Sequence, residues 1–239
     1  MKPAPSFAII GTDTEVGKTM VACGLARAMT DAGYSVIAVK PVETGCTDEQ
    51  IHRQDGVLLA QATGQAKPSS ALFKFPAPVA PPVAADLVGE ELDYSKLICA
   101  VRAAFSVGHI RICEGAGGLL SPLTWSATML EVCRDLEATA VVVAANRLGV
   151  INHTLLTVEV LRQAKIPVGA VVLNHCHPMT GSNDVSPSDG VDASMETNLS
   201  SLRRLLPDVP VVYMPWVKNM ADAACHLAEF AVSLTKNEN

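Results

Sequence analysis

Nine residues near the start of the chain, Gly11-Thr12-Asp13-Thr14-Glu15-Val16-Gly17-Lys18-Thr19, are the types that hold phosphate. Gly-Lys-Thr at the opening of a helix is the end of a P-loop. Backbone N–H groups of the turn and of the helix N-terminus point at phosphate oxygens. Lys18 then reaches the β and γ phosphates, and the Thr19 hydroxyl holds Mg²⁺. Thr14, Glu15, Val16 and Gly17 shape the turn. The spacing is not standard, because Gly11 lies one residue early and Thr12 takes the usual first-glycine place. A chance Gly-Lys-Thr on a helix start is the bland alternative. The context favours phosphate: an apolar run at 7–10 precedes the loop and an Ala-rich helical run at 18–32 follows it.

Two further segments end strand-like runs with chemistry. After the run at 35–39 comes Lys40-Pro41-Val42-Glu43-Thr44-Gly45. A lysine at the carboxyl end of a parallel strand can face the γ-phosphate, although a lone strand-end lysine is more often simply solvated. Thr44 and Gly45 could form another anion turn. Asp55 opens the next helical run, where it is either an N-cap or a magnesium ligand. The run at 109–113 leads into Glu114 and Gly115-Ala116-Gly117-Gly118. An acid at the end of a strand beside a P-loop is the Walker-B arrangement, and hard Mg²⁺ takes carboxylate and phosphate oxygens. The glycines let a backbone approach a ligand closely; a tight turn without a ligand would use them too.

The elements that must position these residues alternate. Strands are expected at 7–10, 35–39, 109–113, 140–145, 168–173 and 209–213. Helices are expected at 18–32, 55–62, 94–105, 128–136, 151–164, 195–206 and 221–234. Polar loops are expected at 43–54 and 175–193, and a proline-rich surface loop at 68–82, which holds five prolines. Strands separated by helices imply βαβ units, so the fold class is α/β, P-loop NTPase-like, with a mostly parallel sheet flanked by helices. Neither half looks complete alone, so residues 1–239 are expected to form one domain. Ligands then sit at the carboxyl ends of strands, where the informative residues fall.

Composition agrees. Of 239 residues, 49% are hydrophobic and only 4% aromatic, so the core is built from Ala, Val, Leu and Ile, as in covered parallel sheets. Eighteen basic residues against 24 acidic ones, formally −6, give no basic stripe, and nucleic acid is not an expected partner. No apolar stretch approaches the ~18 residues of a membrane span, and no secretory signal is evident. Seven cysteines, an odd number with no CxxC pair, read as reduced thiols in a cytoplasmic protein, not a zinc site. His175, Cys176 and His177 are adjacent on a loop and make poor joint metal ligands.

Taken in order, Gly-Thr-Asp-Thr-Glu-Val-Gly-Lys-Thr (11–19), Lys-Pro-Val-x-Thr-Gly (40–45), Glu-Gly-Ala-Gly-Gly (114–118) and Leu-Gly-x-Ile-Asn-His (148–153) resemble the dethiobiotin synthetase family. Matches run from Gly11 to Pro215, most of the chain. The unusual P-loop spacing is part of the likeness. The resemblance implies a cytoplasmic homodimeric ligase of biotin synthesis that joins 7,8-diaminopelargonic acid and CO₂ at the expense of ATP, releasing ADP and phosphate. A carbamate on one substrate amine attacks the γ-phosphate, and the second amine closes the mixed anhydride into a ureido ring. By the same resemblance Lys18 and Lys40 are catalytic, and Thr19, Asp55 and Glu114 hold Mg²⁺. The ATP set is Thr14, Glu15, Val16, Gly17, Lys18, Thr19, Glu114, Gly115, Gly117 and Gly118, with Asn174 and Pro215 at the adenine. The substrate set is Thr14, Lys40 and Thr44, with Gly149, Val150 and Asn152 meeting the carboxylate across the dimer interface. Asn152 could equally be a simple cap.

There are departures and rivals. The loop at 175–193 is long for the family. A family tyrosine at the substrate carboxylate has no clear counterpart in 195–206, where Asn198 is the nearest candidate. A switch ATPase of the MinD/ParA type would carry an extra lysine where Asp13 stands. An amidoligase of the cobyrinate type would need a glutaminase domain, for which 239 residues leave no room. Against a catalytically silent nucleotide-binding module stands the presence of Lys18, Lys40 and Glu114 together.

Overall fold

The computed structural model describes residues 4–105, 109–176 and 194–236. In chain order the elements are β1 (Ser6–Gly11), α1 (Lys18–Asp31), β2 (Val36–Val39), β3 (Val42–Thr44), a 3-10 turn (Asp48–Arg53), α2 (Asp55–Thr63), β4 (Phe73–Phe75), α3 (Pro81–Leu87) and α4 (Tyr94–Ala104). There follow β5 (Ile110–Gly118), β6 (Pro122–Thr124), β7 (Ala127–Thr128), α5 (Met129–Asp135), β8 (Thr139–Ala145), α6 (Val150–Gln163), β9 (Val168–Asn174), α7 (Ser194–Leu205), β10 (Val211–Met214) and α8 (Met220–Lys236).

Six strands form one parallel sheet in the order β10-β9-β8-β1-β5-β2. Period-two alternation divides the core between its faces. Ala8 and Ile10 of β1 and Val142 and Ala144 of β8 join a cluster completed by α4, α5, α6 and α7. Phe7 and Ile9, with Val141 and Val143, join a second cluster completed by α1, α2 and α8. Both faces are therefore covered, which is why these strands read as continuous apolar runs. The chain leaves β1 for β2 at one edge, returns to β5 beside β1, and then continues to β8 on the other side. The carboxyl end of β1 thus lies at the point where strand order reverses, where open α/β sheets bind ligands.

Several local expectations need correction. The segment at 43–54 is not all loop: β3 pairs in parallel with β4, Val42 opposite Phe73 and Thr44 opposite Phe75, and a 3-10 turn follows. The proline-rich stretch is not all loop either. It contains β4, and Pro81 and Pro82 open α3, where a missing N–H costs nothing. The glycines after Glu114 do not end the strand. β5 runs on through Gly118, which pairs with Gly11 past an irregularity in register. Thr128 caps α5 instead of lying within it, in a reciprocal arrangement with Glu131. Residues 177–193 of the expected long loop lie outside the described residues.

Candidate active site

Three strand ends and two helix starts build the site. β1 delivers the phosphate loop, whose Gly17 stands at φ 85°, a left-handed conformation that glycine adopts freely. A Cβ there would also lie 2.1 Å from Asn174 Nδ2. α1 begins with Lys18, whose Nζ donates to the Asp13 carbonyl at 2.8 Å, inside the loop that a phosphate would enter. Val16 is buried, so it serves the loop through its backbone; its carbonyl accepts from Asn174 Nδ2 at 3.0 Å. Thr14 and Glu15 are exposed at the rim.

At the centre lies a buried charge cluster. Lys40, one residue past β2, places Nζ 2.6 Å from Asp55 Oδ2, 2.8 Å from Glu114 Oε1 and 3.0 Å from the Gly115 carbonyl oxygen. Thr19 Oγ1 lies 2.8 Å from Asp55 Oδ1 and 2.7 Å from Glu114 Oε1. Burial alone would depress the Lys40 ammonium, but Glu114 and Asp55 outweigh it and hold its pKa above the ordinary lysine value. Burial would raise Asp55, yet the Lys40 charge and hydrogen bond bring it below the usual carboxylate range. Glu114 is fully buried, and burial with Asp55 alongside pushes its carboxyl upward against the pull of Lys40. Lys18 is drawn down to about 8 by burial and then by the Lys40 charge, with Glu114, Asp55 and Asp13 opposing.

The donor set suits a hard divalent cation. Two carboxylates and a hydroxyl converge, and Glu114 Oε2 is buried with no hydrogen-bond partner among the described residues. A buried carboxylate oxygen without a hydrogen bond, in a group that meets Thr19 and Lys40 through its other oxygen, is an acceptor that a cation could satisfy.

The cleft above this cluster has a volume of about 510 Å³. Of the residues singled out in the sequence, Thr14, Glu15, Gly17, Lys18, Thr19, Lys40, Thr44, Asp55 and Gly117 line it. Glu114 and Gly115 lie directly beneath, bonded to Lys40, and Gly118 lies at the edge of a neighbouring groove. Asn174 ends β9; among the described residues its buried Oδ1 has no hydrogen-bond partner, while its Nδ2 donates to the Val16 carbonyl. Pro215 follows β10 beside it and is half-buried. Gly149, Val150 and Asn152 are not in the cleft. They form the start of α6, where Val150 is buried and Asn152 exposed. Asn198 is buried on α7 and donates to Asn146 Oδ1 at 2.9 Å, so in this chain it braces the end of β8.

Sequence reasoning passed over Glu43. It also lines the cleft, and its carboxylate accepts from the backbone N–H groups of Asp55 at 2.6 Å and Gly56 at 3.1 Å. The available signal was an acid at the open position of Lys-Pro-Val-x-Thr-Gly, twelve residues before a helix start.

A family model described as an AAA domain matches residues 6–212. The ATP-dependent dethiobiotin synthetase BioD of Anaeromyxobacter dehalogenans (strain 2CP-C) is 36% identical over 218 residues, covering 90% of this chain and 92% of that one. The protein of the same description from Caulobacter sp. (strain K31) is 38% identical over 177 residues, 71% of this chain and 76% of that one. Among solved structures, the septum site-determining protein MinD of Pyrococcus horikoshii OT3, complexed with Mg-ADP, aligns with a TM-score of 0.53 over 99% of this chain and 96% of its own. At 17% identity that likeness is one of fold alone. By the match over most of its length, the chain belongs to the ATP-dependent dethiobiotin synthetase family.

Proposed function

We propose that this chain closes the ureido ring of dethiobiotin from 7,8-diaminopelargonic acid, CO₂ and ATP. The observation that carries the proposal is the meeting of Lys18 and Lys40 with Thr19, Asp55 and Glu114 in one cleft, in a chain of this family. A carbamate and a triphosphate repel each other, so the reaction needs fixed cations where they approach. Two lysines standing on different elements supply them.

Roles follow from position. Lys18 exchanges the Asp13 carbonyl for phosphate oxygens when nucleotide enters. Lys40 has its three donors engaged by Asp55, Glu114 and the Gly115 carbonyl, so it meets the carbamate by giving up one of these. Thr14 and Thr44 present hydroxyls to the diamine end. Asn174 Oδ1 takes a hydrogen bond from the adenine amino group, the only kind its free half accepts. Pro215 borders that pocket. Thr19, Asp55 and Glu114 would hold Mg²⁺, which when bound neutralises phosphate charge in the transition state. No strong base is required, because positioning and electrostatics carry most of phosphoryl transfer.

The active form is a homodimer in this reading. Leu156 and Leu120 are 58% and 57% exposed, large apolar side chains lining a groove that starts at Thr12 and Gly118. A second copy covering that groove would bring the α6 start, Gly149 to Asn152, toward a substrate carboxylate, which a helix N-terminus favours. Seven unpaired cysteines suit the reducing cytoplasm, and no helix among the described residues is long and apolar enough to cross a membrane.

Phosphate release from Mg·ATP with bicarbonate, measured with and without the diamine, tests the proposal. Release that depends on the diamine is expected. Turnover indifferent to it would shift the assignment to a switch ATPase of the MinD type, whose fold this chain shares.

A further inference from the structure

We infer that Glu43 is a positioning residue for the cation site: from β3 it fixes the start of α2 so that the Asp55 carboxylate reaches Thr19 and Lys40. The inference rests on assigning Thr19, Asp55 and Glu114 to Mg²⁺. The first N–H groups of a helix have no partner within it. In α2 the N-cap residue Gln54 makes no capping hydrogen bond; its side chain donates instead to the Thr47 carbonyl at 3.2 Å. Glu43 takes over the task from twelve residues upstream, with Oε1 accepting from Asp55 N at 2.6 Å and Oε2 from Gly56 N at 3.1 Å.

The other side of the same turn is closed by backbone. A Cβ at position 56 would fall 2.1 Å from Ala71 N, so the helix start is pressed against residues 70–71. With the helix start held between Glu43 and Ala71, the Asp55 carboxylate bonds Thr19 Oγ1 and Lys40 Nζ. Lys40 and Glu43 belong to one short stretch of chain, which therefore supplies both the charge partner and the backbone anchor of Asp55.

A neutral cap would satisfy the helix at lower cost. Glu43 is only 9% exposed and, among the described residues, has no lysine or arginine partner. Burying this carboxylate, without a lysine or arginine partner, close to that of Asp55 is unfavourable on its own. It becomes favourable once a divalent cation enters, because a third negative charge then adds to the field at the metal.

The test uses the full chain and the Glu43→Ala and Glu43→Gln variants. ADP binding is measured by calorimetry in EDTA, and Mn²⁺ binding to the ADP complex by electron paramagnetic resonance. Glu43→Ala is expected to weaken Mn²⁺ binding on the order of 10-fold or more, with ADP affinity in EDTA unchanged. Glu43→Gln keeps one acceptor but not the charge and should fall between. Wild-type Mn²⁺ affinity in either folded variant overturns the inference. So does an equal loss of ADP affinity with and without metal, since that marks a general disturbance of the fold. If Glu43→Ala does not unfold cooperatively, Glu43→Gln decides alone. A wild-type chain that binds Mn²⁺·ADP but makes no dethiobiotin would count against the proposed reaction and leave the role of Glu43 to these binding results.

Discussion

Lys40 Nζ, one residue past β2, and Glu114 Oε1, midway along the adjacent β5, are 2.8 Å apart, and both side chains are almost wholly buried. The pair joins two segments separated by 74 residues of chain. Breaking it by removing one partner should destabilise the fold by ~3–5 kcal/mol, because an unpaired charge stays buried.

Lys40→Ala is therefore expected to lower stability in urea unfolding and to cut dethiobiotin formation by ~10²–10³-fold. Adding Glu114→Gln to Lys40→Ala should recover part of the stability and none of the activity. A double variant whose stability loss is the simple sum of the single losses would contradict the coupling.

Gly17→Ala probes the phosphate loop. Alanine at φ 85° costs ~1–2 kcal/mol, and its methyl would also meet Asn174 Nδ2 at 2.1 Å. Thermal unfolding should show a loss in Gly17→Ala that Asn174→Ala partly reverses, by relieving the clash and not the backbone strain. No reversal would mean that the Asn174 contact is not the source of the cost.

The low Lys18 pKa makes nucleotide binding sensitive to pH. In the free site burial and Lys40 hold this ammonium at about 8, whereas a bound phosphate keeps it protonated to higher pH. Binding then takes up a proton at pH above about 8, so affinity for ADP in EDTA falls as pH rises through about 8; in the unfolded chain the lysine sits at its ordinary ~10.4. The unfolded chain also holds more protons than the folded one in that window, so the Lys18 contribution to stability of the free protein rises with pH there. Calorimetry in buffers of different ionisation enthalpy reads the proton directly. A pH-independent affinity across the window would show that Lys18 does not titrate there.

Leu156→Glu tests the dimer. The residue is 58% exposed on α6 beside the groove that opens on Thr12 and Gly118. Sedimentation should show a dimer for the natural chain and a monomer for the variant, with product formation lost and ADP binding retained. A natural chain that is monomeric and active would remove the partner from the site.

Much of this was legible in the sequence because the parallel sheet writes its strands as continuous apolar runs, and because Lys40 and Glu114 stand immediately after such runs. β3, β4 and the β6–β7 hairpin were not legible. They are two or three residues long, and their pairing is set by distant chain that no local pattern reveals. The extent of β5 was misjudged because Gly115 and Gly117 look like a turn; pairing with β1 carries the strand through them. The role of Glu43 was hidden because its partners are backbone N–H groups, which have no residue type. The half-occupied amide of Asn174 was not legible either, since its Nδ2 bonds the Val16 carbonyl 158 residues away in the chain.

The most direct measurement follows carbon from ¹³C-bicarbonate in the presence of Mg·ATP and 7,8-diaminopelargonic acid, with the product identified by mass. Labelled dethiobiotin, formed with one ADP for each ring closed and formed ~10²–10³-fold more slowly by Lys40→Ala, is the expected result. ATP hydrolysis that proceeds without incorporating the label would contradict the assignment of this site to ureido-ring closure.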